Sequence, residues 1–385
     1  MNAERTCQRE RARRSRRWAQ RLRRHVIALL VLPCVADGAP LSAQTAPSAV
    51  TEADAVLRDF RFDDGSAIPE LRIHYIALGR PRRDAAGTVR NAVLILHGTT
   101  GTGAQFASPS FANELFGAGQ PLDTSRFYVV LPDGIGHGQS SRPSEGLHAR
   151  FPHYDYDDMV EAQHRLLVEH LGVTHLRLVM GTSMGGMHSW VWGERYPDFS
   201  DGIVPLASAP TGIAGRNRII RHMAMEDIRS DPEWKGGEYT TPPRGLRAAL
   251  QMLWIMTSAP LVQHRDLPTR AKADSAIDAY PDARMKTMDA NDMLYAFDAS
   301  RDYDPEPMLG RITAPLLAIN SADDQVNPPE LGIMERLVPM VPQGRFVLVP
   351  IGPATRGHGS HTVASLWKAP FAEFMNSLVA LPELH

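Results

Sequence analysis

Three residues set the chemistry open to this sequence: a serine flanked by small neighbours, a late aspartate and a still later histidine. The serine is Ser183, in Gly181-Thr182-Ser183-Met184-Gly185, which follows the apolar run 176–180 and leads into a helix-compatible segment. A sharp turn from strand into helix forces the serine backbone into a strained conformation, and a side chain two positions away on either side would clash. That accounts for both glycines. A hydroxyl presented in this way becomes a nucleophile when a histidine accepts its proton and a carboxylate orients that histidine.

For such a turn the partners come in the order serine, acid, histidine, with the acid after a late strand and the histidine after the last. The run 316–319 ends in Asp323-Asp324, and the run 346–349 is followed by Gly357-His358-Gly359-Ser360-His361. Asp324, four residues before Pro328, is preferred to Asp323, which reads as a loop or cap residue. His358, between two glycines, is preferred to His361, which reads as the start of a final helix over 362–378. Two backbone N–H groups must then receive the negative oxygen of a tetrahedral intermediate. Met184 supplies one; the loop His97-Gly98-Thr99-Thr100-Gly101 supplies the other, at Thr99 with Thr100 as the alternative. His97 and His137 read as structural. Gly98 and Gly101 form no phosphate loop, since no Gly-Lys-Ser/Thr follows, and no metal-ligand spacing occurs among the histidines, so no cofactor or metal is expected.

These residues need a rigid frame. Runs at 91–96, 127–131, 176–180, 203–206, 316–319 and 346–349 are almost wholly apolar, as strands buried on both faces of a parallel sheet are. Helical spacing lies between them, clearest over Tyr156–Leu171, so the fold class is α/β with a mostly parallel, doubly wound sheet. An antiparallel pair turning at Asp63-Asp64-Gly65 opens it. About 110 residues between the strands at 203–206 and 316–319 carry no strand signal. Helices expected at 246–256, 270–279 and 285–297 make this stretch, about 210–305, a helical cap. Its many methionines, Met252, Met256 and Met293 among them, read as adaptable core packing.

With 385 residues, 43% hydrophobic and 22% charged, the chain can bury a sizeable core, and a net charge of −2 gives no reason to expect a nucleic-acid partner. The average conceals a segment dense in arginine, from Arg11 to Arg24, followed by an apolar run over 26–35 and small residues up to Ala43. This is the pattern of a secretory signal peptide over 1–43, cleaved after Ala43 or Ala39, with a linker over 44–52 and the catalytic domain over 53–385. The apolar run falls short of the roughly 20 residues that a stable membrane anchor needs. Both cysteines, Cys7 and Cys34, lie in the segment to be removed, so the mature chain would have no thiol and a periplasmic or secreted setting.

Several stretches together resemble the homoserine O-acetyltransferase branch of the α/β-hydrolase superfamily. They are Gly181–Met187 with Tyr196-Pro197-Asp198, Leu122–Phe127, Asp158-Met159-Val160 with Leu171-Gly172, Trp234–Tyr239, and Asp289–Tyr295. The resemblance implies an α/β-hydrolase fold and transfer of an acyl group from a thioester to a hydroxyl through a seryl ester, with no metal; relatives often pair through the cap, which leaves a homodimer open. The chain departs from that pattern in the loop Pro132–Ser141, which is closer to ordinary esterases. It also lacks an Arg-Phe pair near 257–267 and has Gly359 where the transferases usually carry aspartate. The expectation is therefore a serine ester hydrolase acting on a small or medium acyl ester, with transfer to a hydroxyl as the alternative and non-catalytic ligand binding as a remote third. Mass spectrometry of protein secreted by its native host is predicted to find an amino terminus near residues 40–44; a chain retaining 1–36 removes the export reading.

Overall fold

The computed structural model describes residues 49–385; the segment 1–43 read as a signal peptide, with Cys7 and Cys34, and most of the stretch 44–52 read as a linker lie outside them. The first strand, β1 (Val50–Arg61), begins inside the stretch read as linker and pairs antiparallel with β2 (Ala67–Leu78). The hairpin turns at Asp63-Asp64-Gly65, where Gly65 takes φ +87°, a conformation a side chain would strain. On β2, Leu71, Ile73 and Tyr75 are buried, one face of a pleated strand.

The remaining strands are β3 (Ala92–Leu96), β4 (Tyr128–Pro132), β5 (Leu178–Thr182), β6 (Ile203–Leu206), β7 (Leu316–Ser321) and β8 (Gly344–Val349). They run parallel to one another, β2 joins β4 antiparallel, and the spatial order is β1-β2-β4-β3-β5-β6-β7-β8. Every residue of β3 to β7 is buried, as the continuous apolar runs required. Alternate residues enter different layers. Val93, Ile95, Leu178 and Met180 pack against Trp367, Phe371 and Phe374, whereas Leu94, Leu96 and Val179 pack with Tyr156, Met159 and Val160.

Helices cover both faces: α1 (Pro109–Leu115), α2 (Tyr156–Arg165), α3 (Met184–Arg195), then the cap helices α4 (Gly215–Arg229), α5 (Arg244–Thr257), α6 (Pro260–Asp266), α7 (Arg270–Arg284) and α8 (Ala290–Asp298), and finally α9 (Ile333–Leu337) and α10 (Lys368–Ser377). Four expected boundaries differ, each for a local reason. After Arg165 the chain widens into a single π-turn, Leu166–His170, before Gly172 reverses it at φ +62°. The helix expected over 285–297 starts only at Ala290, because the Asp289 carboxylate caps the N–H groups of Asn291 and Asp292. The final helix starts at Lys368 and not at 362, which leaves Pro370 in its first turn, where its missing N–H is harmless. The helix expected to stop at 279 instead runs through the buried Pro281 to Arg284, and the Ile277 carbonyl freed by that proline accepts from Gln251 Nε2 at 3.4 Å.

Residues 234–239 and 289–295 brace the cap against itself, and Asp292 and Tyr295 tie it to the body. Trp234 Nε1 donates to Asn291 Oδ1 at 2.8 Å, Tyr239 donates its hydroxyl proton to Asp289, and Asn291 Nδ2 donates to the Gly237 carbonyl. Asp292 accepts from the Ser144 N–H and hydroxyl, and Tyr295 donates to the Phe151 carbonyl. Of the cap methionines, Met225, Met256 and Met293 are buried in the core. No helix among the described residues is long and apolar enough to cross a membrane.

On α3, the Glu194 carboxyl is pushed up to about 8 by burial, with Asp157 adding to the effect, and its Oε1 has no hydrogen-bond partner. A carboxyl whose folded pKa lies above its ordinary value near 4.5 makes the folded state the better proton binder, so stability falls as pH rises between those two values. Glu194→Gln should match the parent protein in thermal unfolding at pH 5 and exceed it at pH 8.5; an equal difference at both values would show that the carboxyl does not titrate this way.

Candidate active site

Between β3 and β5 the strand order reverses direction, and it is outside the carboxyl ends of strands at such a point that α/β sheets bind ligands. Here β5 ends at Thr182 and Ser183 stands alone between strand and α3, at φ +57° and ψ −115°. The positive φ is held from all sides. The Ser183 N–H donates to the Leu206 carbonyl at 2.9 Å, and its own carbonyl accepts from Met187. A Cβ on Gly185 would strike the Leu96 carbonyl on β3, and one on Gly181 would strike the Gly185 backbone. The two glycines let three backbone segments meet under the hydroxyl.

Ser183 Oγ donates to His358 Nε2 at 2.8 Å, and His358 Nδ1–H donates to Asp324 Oδ2 at 2.9 Å. Asp324 is fully buried, and its other oxygen accepts from the Val326 and Asn327 N–H groups at 2.7 and 3.3 Å. Burial alone would raise its pKa; His358 and these hydrogen bonds outweigh it and hold the carboxylate below the usual range. The preferred residues are thus brought together, and the alternatives are not. Asp323 accepts from the Ser321 hydroxyl and the Gly357 N–H, tying the acid loop to the histidine loop. His361 sits in a short 3₁₀ turn after His358, its ring edge-on to that of His358 at 5.3 Å, and burial pushes its imidazole down to about 3 with help from His358.

The loop after β3 lies against the serine, with Gly98 placed so that a Cβ there would be 3.4 Å from Ser183 Cβ. Its orientation is set by two histidines. His97 Nδ1–H donates to the Gly98 carbonyl while Nε2 accepts from the Gly134 N–H, a pairing that requires the neutral ring; burial, and then His137, hold its pKa at about 4. His137 places Nε2 against the Thr99 carbonyl at 2.6 Å and Nδ1 against that of Ile135. With the Gly98 carbonyl held by His97 and by the Gly101 N–H, the trans peptide turns the Thr99 N–H to the opposite side. Met184 opens α3, so its N–H is one of those a helix leaves without an internal partner.

Sequence reasoning missed two further participants. Asp133, at the end of β4, accepts from the Gly103 and Gln139 N–H groups at 2.7 and 2.9 Å and faces His74, which locks the loops after β3 and β4 together. Arg284 arrives from the cap, and its Nη2 donates to Thr100 Oγ1 at 3.0 Å. Ser183, His358, Thr99, Thr100, Thr257 and Arg284 all line one cleft of about 620 Å³, which none of the cap methionines reaches. A narrower apolar pocket of about 70 Å³ behind the acid loop includes Met187 and Leu348 but neither Ser183 nor His358. The described residues hold one trio of carboxylates close enough to share an ion, Asp63, Asp155 and Asp157, near the β1–β2 turn and outside the cleft.

A family model for the alpha/beta hydrolase fold matches residues 91–350. Among curated proteins, a probable acyltransferase of Methanothermobacter thermautotrophicus is 28% identical over 293 residues, 76% of this chain and 88% of that one. A homoserine O-acetyltransferase of Haloarcula marismortui is 32% identical over 247 residues, covering 58% of this chain and 60% of its own length. Among solved structures, an acetylester hydrolase from Corynebacterium glutamicum superposes with a TM-score of 0.74 at 21% identity, over 85% of this chain and 96% of that one, which shows a shared fold.

The contact under the serine gives a direct test. Gly185→Ala presses a methyl onto the Leu96 carbonyl, where both sides are backbone and neither can yield, so it should cost about 3 kcal/mol or more of stability. Urea unfolding measures this, and a loss below about 1 kcal/mol would mean that the close approach does not constrain the turn.

Proposed function

Since the chain belongs to the α/β-hydrolase fold family, we propose that it carries an acyl group from a small or medium carboxylic ester on Ser183 and releases it to water. The unbroken relay Ser183–His358–Asp324 supports this reading most directly. Ser183 Oγ attacks the substrate carbonyl carbon as its proton passes to His358 Nε2. Asp324 holds the ring so that Nδ1–H points inward and steadies the imidazolium that forms. The negative oxygen of the tetrahedral intermediate lies against the N–H groups of Thr99 and Met184. His358 then protonates the leaving alcohol, and the reverse sequence, with water as nucleophile, frees the acid.

A second reading keeps the acyl-enzyme and changes the acceptor to a hydroxyl. Similarity to curated homoserine O-acetyltransferases favours it. The two readings differ in how one seryl ester partitions. Water wins unless the cap excludes it and holds a hydroxyl in attack geometry. We also infer export, on the arginine-rich start and the apolar run after it; outside the cytoplasm a cytosolic thioester donor is out of reach, which favours an ester as acyl donor and water as acceptor.

Ser183→Ala should abolish labelling by a fluorophosphonate and lower ester turnover about 10⁴-fold or more, and Asp324→Asn should lower kcat by about 10⁴ with the fold intact. Labelling that persists in Ser183→Ala would sink the assignment. Purified protein is expected to hydrolyse 4-nitrophenyl acetate unaided; consumption of acetyl-CoA only when homoserine is present would instead establish the transfer reading.

A further inference from the structure

Among the described residues, Arg284 is, apart from the histidines, the one lining the Ser183 cleft that can carry charge, and no aspartate, glutamate or lysine among them lines it. Of the other cap arginines, Arg247 pairs with Asp282, Arg265 with Asp266 and Arg229 with Glu226, while the buried Arg221 is held by Asn217 and Ser300, away from the cleft. Among the described residues Arg284 forms no such pair. Its guanidinium donates to Thr100 Oγ1 and lies beside the Tyr280 hydroxyl, and its Nε–H is buried without an acceptor.

The acids that share a cavity with it do not serve it. Asp289 and Asp292 line an adjoining cavity of about 200 Å³ that Arg284 also borders. Asp292 is committed to the Ser144 N–H and hydroxyl, and Asp289 to Tyr239 and the start of α8. A cation at the carboxyl end of a helix gains from the helix dipole, which would explain a charge at this position. It does not explain why the side chain reaches across the cleft to the loop that carries Thr99. An under-coordinated guanidinium in a concave site is built to receive a planar anion through paired N–H donors.

We propose that Arg284 is a specificity-determining residue that binds a carboxylate on the substrate, so that the favoured esters carry an anionic group on the acyl or the alcohol side. This rests on the acyl-enzyme reading above and narrows its substrate class. Arg284 takes no part in proton transfer. It places the ester carbonyl by holding the far end of the molecule, and its loss therefore acts on KM for anionic substrates.

Two matched pairs test this: 4-nitrophenyl acetate against the 4-nitrophenyl half-ester of glutaric acid for the acyl side, and phenyl acetate against 4-acetoxybenzoate for the alcohol side. In at least one pair the wild type should favour the anion in kcat/KM. Arg284→Met should cut that anion-to-neutral ratio about tenfold or more through KM, with Arg284→Lys keeping part of it. Using a ratio within each variant cancels any disturbance of the Thr100 loop common to both esters. Glutaric acid monoamide should slow fluorophosphonate labelling of the wild type and not of Arg284→Met, a readout that needs no turnover. Ratios unchanged within about twofold in Arg284→Met, or a wild type that prefers the neutral ester in both pairs, overturn the proposal. If Ser183→Ala is inactive while those ratios stay unchanged, the acyl-enzyme reading stands and only the carboxylate assignment falls; if Ser183→Ala still takes the label, the acyl-enzyme reading falls as well.

Discussion

The structure depends on one strained residue. Ser183 has a positive φ that no serine adopts freely, at a cost of about 1–3 kcal/mol. It is kept there because β5, β3 and α3 converge beneath it with no side chain between them. Gly181 and Gly185 permit that convergence, and the Leu96 and Leu206 carbonyls close it. Strain held by a buried sheet is stable strain: to relax the turn, the molecule would have to separate strands whose residues are all buried.

Around that point the loops at the carboxyl edge are fastened to one another rather than to the strands below. Asp133 joins the loop after β3 to the loop after β4, His97 and His137 fix the carbonyls of Gly98 and Thr99, and Asp323 joins the loop after β7 to the one that bears His358. A reacting constellation has to hold its geometry to a fraction of an ångström, and loops alone do not do this. Here cross-loop hydrogen bonds among buried groups supply the rigidity, and burial makes each of them costly to break.

The cap gives the cleft its other wall. It is braced internally by Trp234, Tyr239, Asp289 and Asn291, which bond with one another across about fifty residues of sequence, and attached through Asp292 and Tyr295, which reach the body at Ser144 and Phe151. Stretches that look like unrelated family signatures are in fact one joint. α7 ends at Arg284, shortly before the part of that joint that begins at Asp289, and Arg284 lines the same cleft as Ser183.

Much of this was legible in the sequence for reasons that are local. A parallel strand buried on both faces has to be apolar throughout, so the central strands were visible as runs; a strand-to-helix turn around an exposed serine needs small residues at fixed offsets, so Gly181 and Gly185 marked Ser183. The order of Asp324 and His358 after late strands follows from the same topology. The tertiary structure decided what depends on distance across the chain. It separated Asp324 from Asp323 and His358 from His361: Asp324 meets the His358 ring and His358 meets Ser183, whereas Asp323 holds the Ser321 hydroxyl and the Gly357 N–H and His361 lies edge-on to His358. It also carried α7 past Pro281, because Gln251 on another helix satisfies the carbonyl that proline leaves bare. Sequence read alone stops that helix before it reaches Arg284. Local propensity governs where a chain prefers to turn, but only packing against a distant segment determines whether a turn is overridden and which side chain then faces the chemistry.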